Sequence, residues 1–190
     1  MVIRGTNKVS GFTLLELLVV VTVVAFLLTV AVPSFQVVVA DQRSTASINE
    51  LVETLILARS EAIKRGEYVT VCKSSSGTNC TTGSDWNDGW IVFSNATSAA
   101  VNTVGADDEI IRVHQALPDS VEFNIVCNIT NFVSFRPVGT AGTTALNFSG
   151  TLTLCDANDN TVPRGLLLSQ TGRIQVSRDV DHDDDPLSCA

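Results

Sequence analysis

The sequence predicts an α+β protein in which one long N-terminal helix precedes a mainly antiparallel β head. Three observations carry this. From Phe12 to Val32 the only charged residue is Glu16, an apolar run long enough to span roughly 30 Å of hydrocarbon as a helix. After Pro33 apolar residues recur at three- and four-residue steps. From Tyr68 onward the period changes to two, between Gly, Asn, Asp and Pro punctuation.

The first element is the apolar run. Arg4 and Lys8 precede it and no lysine or arginine follows until Arg43. That bias keeps the short leader in the cytoplasm and sends the C-terminal bulk across the inner membrane. The segment beyond the run, VAVPSFQVVVADQ, makes a poor small-residue cleavage site for an ordinary secretory signal. Glu16 needs an account, because an ionised carboxylate in hydrocarbon costs on the order of a few kcal/mol. Thr13-Leu14-Leu15-Glu16 has the form of a capping box, with the carboxylate at the positive end of the helix dipole. An intramembrane acid is also a functional site by default.

The second element is an amphipathic continuation of the same helix. Ile48, Leu51, Val52, Leu55, Ile56, Ala58, Ala62 and Ile63 form its packed stripe, and Gly66 after Lys64-Arg65 supplies its stop. Pro33 removes a backbone donor in mid-helix and predicts a kink. Eight short strands follow, at 68–72, 90–93, 110–114, 121–125, 132–135, 152–155, 165–169 and 174–177. Ser74 to Ser84 is a polar loop, and Trp86-Asn87-Asp88-Gly89-Trp90 reads as a tight turn whose tryptophans pack the head, Asp-Gly being a hairpin signal.

Composition narrows function. Charged residues are 17%, hydrophobic residues 45%, and the net charge is −8. Five aspartates fall between Asp179 and Asp185, which disfavours nonspecific nucleic-acid binding. There is no GxSxG elbow, phosphate loop or nucleophile with a base, so no catalytic residue is assigned and the chain reads as a non-enzyme. Asp156–Asn160 and Asp179–Asp183 alternate oxygen ligands but lack the Gly and Glu of a calcium loop; a turn and a solvated tail are expected, with no metal and no cofactor.

All five cysteines lie beyond the apolar run. Export permits oxidation. Cys72 and Cys80 bracket a loop that a disulfide could close, and Cys155 with Cys189 would pin the tail to the head, leaving Cys127 as a buried thiol. Other pairings remain open at this level.

Gly11-Phe12-Thr13-Leu14-Leu15-Glu16 after a short basic leader resembles the type IV prepilin motif. The order VCKSSSGTNC, DWNDGWIVF, FVSFRPVGTAG, LCD and RGLLLSQTGRIQVSR resembles the GspH/FimT group of minor pilins and pseudopilins, FimU-like pilins among them. The resemblance implies cleavage between Gly11 and Phe12 by a prepilin peptidase and N-methylation of Phe12. It further implies assembly through a pairing of Glu16 with the Phe12 amino group of a neighbouring subunit. The chain then divides into a cleaved leader 1–11, a transmembrane and assembly helix 12–32, an amphipathic helix 33–66, a β head 67–178 and an acidic tail 179–190. The function implied is that of a minor, tip or initiation subunit of a type IV pilus, single-pass in the bacterial inner membrane with its head periplasmic. Its partners would be other pilins or pseudopilins. A pseudopilin of a type II secretion system is the alternative. Some FimT-like pilins bind DNA through a C-terminal Gly-Arg-x-Arg element. Here Gly172 and Arg173 match, but Gln175 replaces the second arginine, and Arg173 and Arg178 stand beside the acidic tail. DNA is therefore the weakest of the expected partners.

Overall fold

The computed structural model describes residues 11–83, 85–95, 102–117, 121–127, 131–143, 147–156, 162–178 and 186–187, with backbone alone at 30–34, 121–127 and 156. Contacts divide the chain into two units, Met1–Val38 and Val39–Ala190.

Helix α1 runs Leu14–Arg65. In the first unit the described apolar side chains of α1 are exposed around the whole circumference, among them Leu14, Leu18, Val21, Phe26 and Leu28. The polar groups in this stretch are satisfied within the helix: the Thr22 and Thr29 hydroxyls each donate to a carbonyl one turn back at 2.8 Å. Among the described residues no helix is long and apolar enough to cross a membrane. The described apolar side chains of α1 in the run extend from Leu14 to Leu28, short of the ~20 residues a span takes. The kink expected at Pro33 falls on a residue within the helical span whose side chain lies outside those described.

The second unit holds two four-stranded antiparallel sheets. Strands β1 (Tyr68–Lys73), β2 (Trp90–Asn95), β3 (Glu109–His114) and β5 (Phe132–Phe135) form one, in the order β3-β2-β1-β5. Strands β4 (Val121–Cys127), β6 (Gly150–Asp156), β7 (Arg164–Leu168) and β8 (Ile174–Ser177) form the other, in the order β4-β6-β7-β8. All eight expected strands are present.

The period-two pattern explains the core. Alternate residues Val69 and Val71 of β1, Trp90 and Val92 of β2, and Val133 and Phe135 of β5 face one main cluster. Leu152 and Leu154 of β6 and Leu166 and Leu168 of β7 join it from the second sheet, and α1 contributes Ile48, Leu51, Leu55, Ala58 and Ala62. The opposite face of the first sheet is covered too: Cys72, Ile91 and Phe93 are buried under Cys80 and Val104. Burial on both faces is why β2 is an unbroken buried run. Inside, the Trp90 indole donates to the Thr54 hydroxyl at 3.1 Å, and its ring stacks on His114 at 3.9 Å between centroids.

Two expectations need correction. Ile56 and Ile63 belong to no packed stripe and are about half exposed, at 51% and 54%. At 100° per residue they lie more than 90° around the helix from the line through Leu51, Leu55, Ala58 and Ala62. Asp88-Gly89 is not a two-residue hairpin turn. Trp86–Asp88 is a short 3-10 turn closed by reciprocal capping between Asp85 and Asp88, and Gly89 at φ 109° leads into β2. A side chain at Gly89 would meet the His114 carbonyl, so the chain needs glycine to pass there. Both tryptophans are buried, as their packing role requires.

Candidate assembly surfaces and site residues

At the N-terminus Gly11, Phe12 and Thr13 precede α1. Thr13 is its cap: the hydroxyl accepts the Glu16 backbone N–H at 3.2 Å, and its carbonyl accepts that of Leu17 at 3.2 Å. Glu16 therefore occupies the first turn, near the positive end of the helix dipole. Its carboxylate has no ion-pair partner among the described residues. Phe12 is 81% exposed. An exposed aromatic residue, an exposed acid one turn on, and a helix apolar on every side make a surface whose stable environment is lipid or other apolar helices. The leader residues before Gly11 lie outside those described.

Where α1 enters the second unit, Arg164 of β7 reaches Asp41 at 2.5 Å. Arg164 is almost wholly buried while Asp41 is partly exposed, so the guanidinium is the group that depends on the pair. At the other end of α1, Arg65 bridges Glu61 and Glu109, each at 2.6 Å, and Lys64 meets Glu61 at 3.1 Å. Hydrogen bonds from Arg65 and then Lys64 lower the Glu61 pKa, and Arg65 alone lowers that of Glu109. The Arg65 pKa is raised in turn, first by Glu109 and then by Glu61. Further along, Arg112 pairs with Glu53 at 2.7 Å and His114 with Glu50 at 3.0 Å, tying β3 to α1.

The Cys72–Cys80 disulfide is present and closes the polar loop. Within it Ser74 donates to the Asn79 carbonyl at 2.6 Å and accepts from Gly77 N at 3.0 Å. The Asn79 side chain accepts Val104 N at 3.2 Å, which holds the loop against the segment that covers the first sheet. Cys155 is also disulfide-bonded. In the β4–β6 register Cys155 stands opposite Glu122 and Cys127 opposite Gly150, five positions apart along the strands and far beyond disulfide reach. Cys189 lies outside the described residues, as do the side chain of Cys127 and the aspartates from Asp179 to Asp185; Leu187 packs over Gly165 of β7.

The segment around Gly172 has a structural explanation. Gly172 sits at φ +76° in the β7–β8 turn, where its backbone packs on the Gly139 carbonyl and the Arg59 guanidinium. Arg59 donates to that Gly139 carbonyl at 2.9 Å and to the Thr171 carbonyl at 3.3 Å, joining two turns to α1. Arg173 and Arg178 are exposed at opposite ends of β8 and are not brought together. Sequence reasoning missed the ties made by Arg59 and Arg164, since a charge on a helix or strand gives no sign of a distant carbonyl or carboxylate. The exposed pair Ile56 and Ile63 gives no sign in sequence either, since its seven-residue spacing is shared by Leu51 with Ala58 and Leu55 with Ala62 of the packed line.

The chain matches the family described as Type II transport protein GspH over residues 47–172, and the prokaryotic N-terminal methylation motif over residues 6–32. Its fold resembles the type IV minor pilin FimU of Pseudomonas aeruginosa, with a TM-score of 0.52 at 20% identity over 72% of this chain and 90% of that one. The minor pseudopilin EpsH from the type 2 secretion system of Vibrio cholerae aligns over 72% of this chain and 97% of that one, at 9% identity and a TM-score of 0.49. No curated protein sequence matches. The matched span covers most of the chain and every strand but β8, and the methylation motif covers the exposed apolar helix, so the protein belongs to the GspH family of minor pilins and pseudopilins.

Proposed function

We propose that the protein is a non-enzymatic minor subunit of a type IV pilus, acting at its tip or in its initiation. The observation that carries this reading is the apolar helix exposed on all sides behind Phe12 and Glu16, within a methylation motif. Cleavage after Gly11 by a prepilin peptidase frees the Phe12 amino group, which becomes N-methylated. The helix from Phe12 to Val32 is stored in the inner membrane with the head periplasmic, and a neighbouring subunit's Phe12 amino group neutralises Glu16 during extraction into the fibre. The Thr13 cap supports this, since it fixes Glu16 in the first turn and leaves its carboxylate outward. Pairing two opposite charges removes a cost of a few kcal/mol for burying either alone. The same export supports a disulfide between Cys155 and Cys189, with Leu187 already seated on β7.

The family's description as a type II transport protein favours a second reading, a pseudopilin in a protein secretion machine built on the same physics. DNA binding through Arg173 and Arg178 has less support, because the two stand at opposite ends of β8 in a chain of net charge −8. The deciding experiment measures major pilin sheared from a strain lacking the protein and from its complemented parent. The pilus reading expects a sharp fall restored by complementation. Unchanged pilin with lost protein secretion would transfer the protein to the second reading.

A further inference from the structure

The two isoleucines that leave the packed stripe of α1 line a groove. Ile56, Arg59, Ser60 and Ile63 form one wall, Arg173 and Ile174 at the start of β8 form the other, and the space between them is about 360 Å³. The floor is aliphatic, and Val138, exposed at 75%, extends the apolar surface beside Ile63 through the turn at Gly139. The two cations differ in role. Arg59 is held by the Gly139 and Thr171 carbonyls, whereas the Arg173 guanidinium has no ion-pair partner among the described residues and stands exposed at the rim. A locally basic, apolar cleft on a chain of net charge −8 selects for a complementary occupant.

The geometry points to this groove as the docking site for an acidic, aliphatic segment of a different pilin-type subunit, with a carboxylate on Arg173 and an aliphatic side chain between Ile56, Ile63 and Ile174. This rests on the subunit reading and gives it a lateral contact in the head, separate from the apolar helix. The chain's own acidic stretch, Asp179 to Asp185, is the rival occupant, and an adduct within the chain would identify it. A duplex nucleic acid would use the rim cation but leave the aliphatic floor unfilled.

The test uses the full-length protein in its own cells, with the photo-cross-linking residue benzoylphenylalanine in place of Ser60, and in place of Ser76 as a control on the disulfide loop. Both positions are exposed, and the Ser60 hydroxyl bonds only to its own helix at the Ile56 carbonyl. The expected result is an adduct at Ser60, absent at Ser76, with a second pilin-type subunit. Its attachment peptide should carry Asp or Glu beside an aliphatic residue. Arg173→Glu should cut the adduct at least about tenfold, since juxtaposed like charges cost more than an ion pair gains. Changing the partner's carboxylate to lysine should restore it. An adduct within the chain, with a second copy, with DNA, or with a peptide lacking acids would overturn the proposal. So would an adduct indifferent to Arg173→Glu, or none at Ser60 although the protein is present in sheared fibres. Protein missing from fibres and from every subunit complex would overturn the subunit reading itself.

Discussion

Removing the Cys72–Cys80 disulfide by the double change Cys72→Ala and Cys80→Ala tests how the polar loop is held. The bond spans a sequence separation of 8, for which chain entropy gives about 2.5 kcal/mol of stabilisation. Cys72 is fully buried, so the lost sulfur adds about 1 kcal/mol for the small void it leaves. The loop's own hydrogen bonds, from Ser74 to Asn79 and from Val104 to Asn79, act against a larger effect because they hold its shape without the bond. A loss of about 2.5–3.5 kcal/mol is expected, equivalent to roughly 5–14 °C in Tm for a head of this size. Denaturant unfolding of full-length protein in detergent should show it as a lower midpoint with an unchanged slope. Substitution is preferable to a reductant, which would open the Cys155 disulfide as well. A loss below about 0.5 kcal/mol would refute the entropic reasoning, and it would show that the hydrogen bonds already close the loop in the unfolded ensemble.

Other predictions follow from single sites. Gly172→Ala should destabilise the head by more than the about 1–2 kcal/mol that left-handed backbone costs a side chain, because its Cβ would strike the Gly139 carbonyl; thermal unfolding measures it, and a neutral result would contradict the turn. Glu61 and Glu109 have pKa values lowered in the folded state, chiefly by Arg65, so their contribution is complete above the ordinary carboxylate value of 4.5 and is lost as pH falls below it through the lowered values. Glu109→Gln should therefore flatten the acid limb of the stability profile, and a profile unaltered below pH 4.5 would count against the bridge. Peptide mapping of the non-reduced protein should recover Cys155 joined to Cys189, and recovery of Cys155 with Cys127 would require a different β4–β6 register.

Much of the fold is legible in the sequence because local chemistry determines it. Tyr68–Lys73 and Trp90–Asn95 alternate residues between two buried faces, and glycines at positions such as 66, 89 and 172 mark turns with positive φ. Which strands pair is not local. β1 takes β2 on one side and β5, more than 60 residues on, on the other, while β4 passes over β5 to pair with β6. No pattern within a strand encodes its partner. Glu16 is readable because a charge inside an apolar run is costly and therefore conspicuous, whereas the expected roles of Gly11 and Phe12 come only from the resemblance to the prepilin motif. The groove was hidden for the opposite reason: Ile56 and Ile63 resemble core residues until the packed line through Leu51, Leu55, Ala58 and Ala62 shows that they lie off it.

The central claim is that the protein enters a fibre through its apolar helix, with Glu16 paired to a neighbouring amino terminus. Its most direct test is the ratio of Glu16→Ala protein in sheared fibres to cleaved Glu16→Ala protein left in the membrane, beside wild type in the same strain. The account predicts normal cleavage after Gly11, normal membrane retention and loss from the fibre fraction. Incorporation at the wild-type ratio would contradict it.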